Sequence, residues 1–358
     1  MLLDKKAKII ISVERVANDF KKGFPVIIVE DGVRILALSP ETASTAIIEN
    51  LMKDLPKTKA SLVISSKRAN FTASKNTEGS LAISISKSEI KKIPILSGVT
   101  GEILSKKLNN TEGANHIQSN AVRLAKIAEL IPSAITFAIS SDFHNHNFLE
   151  IDSKNIEQYA DAISYSLNES CRTKISLKNA VDSEIVAYRP NLGSKEHYAI
   201  IIGKKLAKTP LVRVHSSCYT GDLLDSLACD CHDQLHTAIE IMAKNDGGIV
   251  LYMLQEGRGI GLINKLRTYA LKEQGLDTVD ANEALGFDDD ERIFLPAAEI
   301  LKRLKIKKIK LLTNNPKKAS GLKEYGISVA ECVPHIMPSN EHNKKYLKTK
   351  SKRLGHKM

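Results

Sequence analysis

The chain has 358 residues, of which 42% are hydrophobic and 26% are charged, and its formal net charge at pH 7 is +11. This length predicts two or three domains, and the composition is typical of a globular protein and excludes a disordered chain. No apolar run reaches the roughly 18 residues that a membrane-spanning helix needs. The N-terminal segment lacks the features of a secretory signal, so we expect a cytoplasmic location.

The basic charge favours an anionic partner, such as nucleic acid, a membrane surface or a polyphosphate ligand, although a Lys-rich solubility surface has the same composition. Basic residues cluster only at 301–310 and in the tail 344–357. The sequence lacks Trp and the alternation of aromatic and basic residues that single-strand binding needs. We therefore expect neither a nucleic-acid nor a membrane partner. Five cysteines, an odd number, also argue against a secreted disulfide framework.

The first half of the chain mixes apolar runs with polar stretches. The apolar runs predict a hairpin of strands around Gly32, further strands and one helix. The predicted strands are at 24–31, 34–39, 61–66, 81–86 and 134–140, and the predicted helix is at 119–130. The sequence RPNLGSKE at 189–196 contains Pro, Gly and Ser, which are typical of a linker. We therefore predict a domain boundary there, with domains at 1–190 and 191–358.

In the second half, strands and helices alternate along the chain. The predicted strands are at 197–204, 211–217, 248–255, 307–313 and 326–333. The predicted helices are at 231–245, 263–275 and 292–304, with a further helix that starts at Pro316. This pattern indicates an α/β or α+β domain with a mixed sheet and flanking helices.

Three of the five cysteines lie close together in the sequence, at Cys218, Cys229 and Cys231. Thiolates suit zinc, and three protein ligands leave a fourth coordination position open for water, which is typical of a catalytic site. A nearby histidine would instead close the site, and three thiols can also lie together by chance. The candidate histidines are His215, His232 and His236.

Three further segments carry weaker signals. The sequence QEGRGIGLINK at 255–265 places glycines between a predicted strand and helix, where backbone amides can face an anion. TNNPKK at 313–318 opens a helix beside two lysines, and DDDERIF at 288–294 places acids next to Arg292. Each segment alone is also compatible with an ordinary solvated turn.

Taken in order, these segments resemble the signature blocks of GTP cyclohydrolase II. The matching blocks are RVHSSCYTGDLLDSLACDCHDQL, YMLQEGRGIGLINKLRTYAL, GLDTVDANEALGFDDDER and LLTNNPKK, and the tail NKKYLKTKSKRLGH is also similar. The resemblance covers roughly residues 200–358. It implies hydrolysis of GTP to 2,5-diamino-6-(5-phosphoribosylamino)pyrimidin-4(3H)-one, formate and diphosphate, which is the first committed step of riboflavin synthesis.

The resemblance also implies roles for individual residues. It places a zinc ion at the three cysteines and Mg2+ on the triphosphate of GTP, and it suggests a homodimer. Arg292 matches the nucleophile towards the α-phosphorus, Asp290 its proton acceptor, and Tyr269 a tyrosine near the reacting ring. The implied GTP contacts are Arg213, Val214, His215, Ser216, Ser217, Gln234, Glu256, Gly257, Arg258, Thr278, Thr313 and Lys318.

One departure from the family pattern lies beside the metal. Ser217 stands where the family has a glutamate, and Ala228 and His232 replace the usual Arg and Gly. The lost carboxylate can alter guanine recognition or the placement of water. Because the cysteines, Arg292 and Asp290 are present, we still expect activity.

Residues 12–170 faintly resemble dihydroxybutanone phosphate synthase, in SVERVANDFKKGFPVIIVED and NAVRLAKIAELIPSAITFAI. That enzyme needs a dense acidic loop for Mg2+ and the sugar phosphate, whereas this chain has EDGVRILALSP. Only Glu30 and Asp31 remain there, too few for a hard-cation site and a base, and His116, His144 and His146 cannot rebuild the site by themselves. We therefore expect the N-terminal half to be a degenerate, inactive scaffold.

Three alternatives remain open at this point. The chain can be a bifunctional enzyme with an active synthase half. It can instead be a zinc protein that binds GTP without turnover, which Ser217 would allow. A basic nucleic-acid binder with a Cys-x-Cys zinc site is the third, and strong salt dependence of DNA binding would support it.

Overall fold

The computed structural model describes residues 4–73, 77–102, 111–193, 195–343 and Arg353. The chain forms two compact units: the first contains Met1–Tyr159 and Ile263–Glu291, and the second contains Ala160–Leu262 and Arg292–Met358. The basic tail at 344–357 lies outside the described residues, apart from Arg353. Within the described part of the chain, no helix is both long enough and apolar enough to cross a bilayer.

The helices and strands are numbered in chain order. The helices are α1 (Lys5–Lys21), α2 (Thr45–Asp54), α3 (Ser66–Ala73), α4 (Ile93–Ser97), α5 (His116–Ile127), α6 (Ser153–Tyr165), α7 (Cys231–Lys244), α8 (Leu262–Glu273), α9 (Thr278–Leu285), α10 (Leu295–Arg303) and α11 (Pro316–Glu324). The strands are β1 (Val26–Glu30), β2 (Val33–Leu38), β3 (Ala60–Ile64), β4 (Leu81–Ile85), β5 (Thr111–Gly113), β6 (Ser133–Ile139), β7 (Glu150–Asp152), β8 (Leu167–Leu177), β9 (Ala180–Pro190), β10 (His197–Ile202), β11 (Leu211–Ser216), β12 (Gly248–Met253), β13 (Lys308–Leu312) and β14 (Ser328–Val333).

The first unit is built on a sheet with the strand order β5–β4–β3–β6–β2–β1–β7. Its neighbouring strands are antiparallel except β1 and β7, which are parallel. The predicted hairpin is confirmed, because Val26 pairs with Ala37 and Glu30 pairs with Val33. Leu36, Leu62 and other apolar side chains of these strands form the core of this unit.

Helix α5 shows how local sequence sets an element boundary. Asn115 and Gln118 form a capping box, in which each side chain accepts a hydrogen bond from the backbone N–H of the other. The helix then buries Ile117, Ala121 and Leu124, which recur at helical spacing. The predicted helix at 119–130 is therefore present but begins three residues earlier, at its cap.

The second unit contains a mixed sheet with the order β14–β13–β11–β12–β10–β9–β8, as the sequence predicted. Strands β11 to β14 form its parallel half, and β8, β9 and β10 join it through antiparallel pairs. The carboxyl ends of β11, β12 and β13 meet at one edge, and the loops that follow these strands therefore lie close together.

The structure divides the chain differently from the predicted boundary at 190/191. Strand β9 ends at Pro190 and β10 begins at His197, and these two strands pair in one sheet. Pro190 and Gly193 therefore mark a connection between paired strands, which favours the same residues as a linker does. The first unit instead ends at Tyr159 and also takes in residues 263–291, which lie inside the predicted second domain.

His197, the first residue of β10, gives the second unit a testable pH dependence. Its Nδ1 accepts a hydrogen bond of 3.1 Å from Leu254 N, and burial lowers its pKa to about 4. In the unfolded chain the pKa of His197 returns to about 6.5. Between the folded and the unfolded pKa, the unfolded state therefore binds more protons than the folded state. The contribution of His197 to stability is therefore present above pH 7 and is lost as the pH falls towards 4.

We predict that lowering the pH from 7 to 5 reduces the free energy of unfolding by about 2 kcal/mol more in the wild type than in His197→Gln. Denaturant unfolding at both pH values measures this difference, and the glutamine Oε1 can still accept from Leu254 N. An equal loss in both proteins would contradict the prediction.

Candidate functional site

The candidate site lies at the edge where β11, β12 and β13 end. Ser216 is the last residue of β11 and pairs with Met253, the last residue of β12. One residue further on, Ser217 N donates to Met253 O at 2.8 Å. The loop after β11 therefore runs beside the loop after β12, as the order of the sequence signals requires.

Three sulfur atoms come together in the loop after β11. Cys218 follows that strand, and Cys231 begins α7. The sulfurs of Cys218 and Cys229 are 3.8 Å apart, and all three sulfurs lie within 4.8 Å of one another. Among the described residues, this group of potential metal ligands contains no histidine. The cluster can therefore hold a metal ion with three thiolates.

Gly221 permits this approach of the cysteines. It lies in a π-helical turn at Tyr219–Leu223, and its N–H donates to Cys218 Sγ at 3.3 Å. A Cβ atom at this position would lie 2.9 Å from Cys229 Sγ and 3.0 Å from Cys218 Sγ. Any larger residue would therefore push the sulfurs apart.

The proximity of the thiols changes their acidity. Hydrogen bonding with Cys218, together with burial, raises the pKa of Cys229 to about 11. The pKa of Cys231 is raised as well, because Cys218 and Cys229 contact its buried thiol. The raised pKa values of Cys229 and Cys231 disfavour their thiolates, whereas a metal ion would stabilise the thiolates and release the protons.

Asp222 connects the cysteine-bearing loop after β11 to the sheet. Its Oδ2 accepts hydrogen bonds from Cys218 N at 2.9 Å and from Tyr252 Oη at 2.8 Å. His215 Nε2 lies 3.0 Å from Asp222 Oδ1, and the His215 ring stacks on Tyr252. Burial lowers the pKa of His215. Asp222 and Tyr252 were not predicted as site residues; the position of Asp222 four residues after Cys218 was the available signal.

Arg213 is held beneath the site in a buried polar network. Its guanidinium donates to Leu312 O at 3.1 Å and to Gln234 Oε1, and burial lowers its pKa to about 10. Gln234 Nε2 in turn donates to Asp230 Oδ2 at 2.6 Å. His335, which the sequence did not indicate, lies 2.8 Å from Gln234 O through its Nε2. The Gln234 amide is therefore engaged by protein groups on both sides.

The loop after β12 is hydrogen-bonded to the loop after β11, which carries the three cysteines. Glu256 Oε2 accepts a hydrogen bond of 2.6 Å from Tyr219 N. Arg258 adopts the left-handed backbone conformation with φ of 62°, between two glycines that are also left-handed. A non-glycine residue in this conformation costs roughly 1 kcal/mol, and such strain concentrates at functional sites.

Two further cations lie near the end of β11. Arg292 Nη1 is 3.5 Å from Ser216 Oγ, and its guanidinium lies over the Phe294 ring. The buried Lys318 donates to Val214 O at 2.7 Å. Arg292 precedes α10 and Lys318 lies in the first turn of α11, so the fold gathers positive charge around β11.

Three of the predicted site residues belong to the first unit. Tyr269 lies on α8, with Lys272 Nζ 5.3 Å from its ring centroid. Thr278 is the first residue of α9, whose N-terminus is capped by Asp277. Asp290 lies in the acidic turn at 288–291. All other predicted site residues belong to the second unit.

The first unit contains a second group of potential metal ligands, formed by Glu30, His116 and Glu157. From the sequence we expected no cation site from Glu30 and His116, and no signal pointed to Glu157. His116 Nδ1 lies 2.6 Å from Glu30 Oε1, and His116 Nε2 lies 3.1 Å from Glu157 Oε1. Hydrogen bonding and charge from Glu30 raise the pKa of His116. Ser153 Oγ also donates to Glu30. The three side chains therefore form an ion-pair network at the end of β1.

Residues 168–334 match the family described as GTP cyclohydrolase II. Over 191 residues, the chain is 47% identical to GTP cyclohydrolase-2 of Psychromonas ingrahamii, a match that covers 52% of this chain and 95% of that protein. This chain belongs to the GTP cyclohydrolase II family. The family match begins in β8 and includes 263–291, although those residues fold with the first unit.

Two other relatives are longer than the matched region. GTP cyclohydrolase-2 of Azospirillum brasilense is 45% identical over 247 residues, which cover 67% of this chain and 64% of that protein. Riboflavin biosynthesis protein RibBA of Bacillus subtilis is 44% identical over 238 residues, which cover 65% of this chain and 56% of that protein. The chain thus spans less than two thirds of either relative.

Replacement of Gly221 tests the geometry of the sulfur cluster. We predict that Gly221→Ala lowers the affinity for a bound metal ion about 10- to 100-fold, because the new methyl group contacts two sulfurs. Competition with a chelator measures the affinity. Gly79→Ala is the matched control, since a Cβ there meets no atom within 4 Å. Equal affinities in the two variants would contradict the prediction.

Proposed function

We propose that the protein is a zinc-dependent GTP cyclohydrolase II. The reaction hydrolyses GTP to 2,5-diamino-6-(5-phosphoribosylamino)pyrimidin-4(3H)-one, formate and diphosphate, at the start of riboflavin synthesis. Membership of the family supports this activity. The observation that carries the proposal is the cluster of Cys218, Cys229 and Cys231 at the sheet edge where β11, β12 and β13 end.

The sulfur geometry fits zinc. Zn–S bonds of about 2.3 Å in a tetrahedral arrangement place sulfur atoms about 3.8 Å apart, and the sulfurs of Cys218 and Cys229 are separated by 3.8 Å. Thiolates are soft ligands that suit zinc, and a site with three of them keeps one position open. When bound, the ion supplies Lewis-acid activation of water for attack at C8 and hydrolysis of the formamide.

The triphosphate requires cations along its length. We assign this role to Arg258, Arg292 and Lys318, with Mg2+ bound to the phosphates. Lys318 is buried, and its charge is directed towards β11 by the carbonyl of Val214. Preorganised cations of this kind stabilise the charge that develops as diphosphate leaves.

The guanine contacts follow from the network beneath the site. Gln234 is engaged by Arg213 and Asp230, so its contact with the base requires one of these hydrogen bonds to be exchanged. Glu256 and the Arg213–Ser217 strand end supply the remaining family contacts. Ser217 offers a hydroxyl where the family has a carboxylate, so the donors of guanine lose a charged acceptor at this position.

We also propose the covalent roles that the family blocks imply. Arg292 would attack the α-phosphorus, and Asp290, two residues before it, would accept the proton. The pKa of a free guanidinium exceeds about 12, so Arg292 depends on this carboxylate to become a nucleophile. Tyr269 and Thr278 complete the proposed set, and a homodimer is the proposed assembly.

The second question is whether the first unit is catalytically active. We propose that this unit does not catalyse dihydroxybutanone phosphate synthesis, because only Glu30 and Asp31 remain of the acidic loop. The cluster of Glu30, His116 and Glu157 favours the opposite view, since it can hold a divalent cation. Incubation with ribulose 5-phosphate and Mg2+ decides between them, and any dihydroxybutanone phosphate formed would establish a bifunctional enzyme.

Replacement of a zinc ligand tests the main proposal. We predict that the wild type binds one zinc per chain and releases formate from GTP, and that Cys229→Ser lowers both zinc content and turnover on the order of 100-fold. Cys171→Ser is the matched control, because Cys171 is an exposed thiol of β8 and is expected to leave both unchanged.

Ser217→Glu distinguishes an enzyme from a protein that binds GTP without turnover. We predict formate release from both the wild type and the variant, with kcat/KM for GTP about 3- to 10-fold higher in the variant, because the added carboxylate can accept from guanine. A wild type that binds GTP and zinc but releases no formate would contradict the proposed enzyme.

A further inference from the structure

The residues 263–291, which we call the insert, fold with the first unit although they lie within the second half of the sequence. In sequence the insert lies inside the region that matches the cyclohydrolase family, and it carries Tyr269, Thr278 and Asp290. In the structure it belongs to the first unit. The residues that hold it therefore come from the N-terminal part of the chain.

The start of the insert is held through α8. Asn264 is fully buried and donates through Nδ2 to Glu129 O at 2.9 Å. Arg267 Nη1 lies 2.9 Å from Glu41 Oε1. The other oxygen of this carboxylate accepts a hydrogen bond of 2.8 Å from Ile131 N. Asn264 thus holds α8 to a backbone carbonyl, and Arg267 holds it to a carboxylate that is itself fixed by a backbone N–H.

The end of α9 is held by a buried arginine. Arg68 is 1% exposed, and its guanidinium donates to Ala284 O at 2.5 Å, Ile95 O at 2.7 Å and Leu96 O at 3.2 Å. Ala284 lies in the last turn of α9, where carbonyls have no partner in the helix and a cation is favourable. Arg68 thus donates hydrogen bonds to backbone carbonyls at the end of α9 and in α4 at the same time.

Gly286 lets the end of α9 approach α3 closely. It has a left-handed φ of 90°, and its carbonyl accepts a hydrogen bond of 2.6 Å from Ser65 Oγ. A Cβ atom at Gly286 would lie 2.7 Å from Ser65 Oγ and 3.3 Å from Arg68 Cβ. The chain leaving α9 is therefore fixed just before the acidic turn.

The acidic turn, residues 288–291, carries four carboxylates in succession. Lys126 Nζ lies 3.1 Å from Asp288 Oδ2 and 2.7 Å from Glu291 Oε1. Glu291 Oε1 also accepts a hydrogen bond of 2.9 Å from Asp288 N. Burial alone would lower the pKa of Lys126, but Glu291 and Asp288 outweigh it and hold its pKa above the ordinary value.

An ion pair of this kind differs from an ordinary surface pair. Exposed pairs contribute little, because water and salt screen them. Lys126 and Glu291 are largely shielded, with side chains 27% and 17% exposed, and one ammonium offsets the repulsion between two carboxylates. Removing Lys126 would let this turn relax, and its last residue is bonded directly to Arg292.

We infer that the first unit is a positioning element for the cyclohydrolase reaction. Lys126 holds the acidic turn that contains Asp290 and leads into Arg292, and Arg68 holds the end of the preceding helix. This inference rests on the proposed function. It explains a use for an N-terminal half without synthase activity: its residues set the conformation of a catalytic segment. Lys126 and Arg68 are positioning residues, because they act through the insert.

Removal of the Lys126 charge tests the inference in the full-length chain. We expect Lys126→Met to lower kcat for formate release about 10- to 100-fold, with KM for GTP within about twofold of the wild type. Zinc content and the far-ultraviolet circular dichroism spectrum stay unchanged. Lys126→Arg is expected to restore kcat to within about threefold, since a guanidinium can hold two carboxylates.

Two matched variants separate positioning from general stability. Lys154→Met removes a lysine of the same unit that pairs with the exposed Asp31 at 3.2 Å, and we expect no change in kcat. Arg34 contacts Glu150 and three backbone carbonyls of the same unit. We expect Arg68→Lys to lower kcat and Arg34→Lys to leave it unchanged.

A double-variant cycle identifies the route of the effect. If Lys126 acts through Glu291, the double variant Lys126→Met/Glu291→Gln has the same kcat as Glu291→Gln alone. The inference is overturned if kcat of Lys126→Met stays within twofold of the wild type. It is also overturned if Lys126→Met lowers kcat no more than Lys154→Met does. If Lys126→Met fails to fold, Glu291→Gln removes the ion pair between Lys126 and Glu291 from the other side. This variant must then lower kcat by the same factor.

Hydrogen exchange keeps this test separate from the proposed function. A wild type that releases no formate refutes the cyclohydrolase proposal alone. The positioning claim is then decided by amide exchange over residues 286–291, which Lys126→Met must accelerate while exchange in the sheet of the first unit is unchanged. Equal exchange in the wild type and the variant would overturn it.

Discussion

The convergence of three cysteine sulfurs is the constraint on which the site depends. Thiols this close raise one another's pKa, so the cluster is electrostatically unfavourable as thiolates until a cation binds. The fold supports the cluster with two residues that lie outside the group of three sulfurs. Gly221 leaves space between the sulfurs, and Asp222 fixes the backbone of Cys218 to Tyr252. Metal binding and local folding are therefore coupled.

The same sheet edge also concentrates buried positive charge. The buried Arg213 donates to the backbone carbonyl of Leu312 and to the side-chain amide of Gln234, and the buried Lys318 donates to the carbonyl of Val214. Burying a cation with neutral partners is unfavourable for stability, and burial lowers the pKa of Arg213 to about 10. An anionic ligand at this edge would reduce that cost.

The sequence predicted local structure well, because apolar periodicity and ligand spacing are local signals. The hairpin at β1 and β2, the mixed sheet and the cysteine cluster all follow from short segments. Other features depend on contacts between distant residues. Strand β8 is mostly exposed and lacks an apolar pattern, so the extent of the second sheet was missed. The placement of the insert, and of Glu157 beside His116, depends on tertiary packing that no motif encodes.

The cysteine cluster and the buried cations Arg213 and Lys318 belong to the second unit, whereas residues 263–291 fold with the first unit. The central claim is that one zinc ion is bound by three sulfurs with a fourth position open. Zinc K-edge X-ray absorption of the purified protein tests it most directly. The account predicts three sulfur neighbours at about 2.3 Å and one oxygen neighbour. Fewer sulfurs, or a histidine nitrogen in the fourth position, would contradict it.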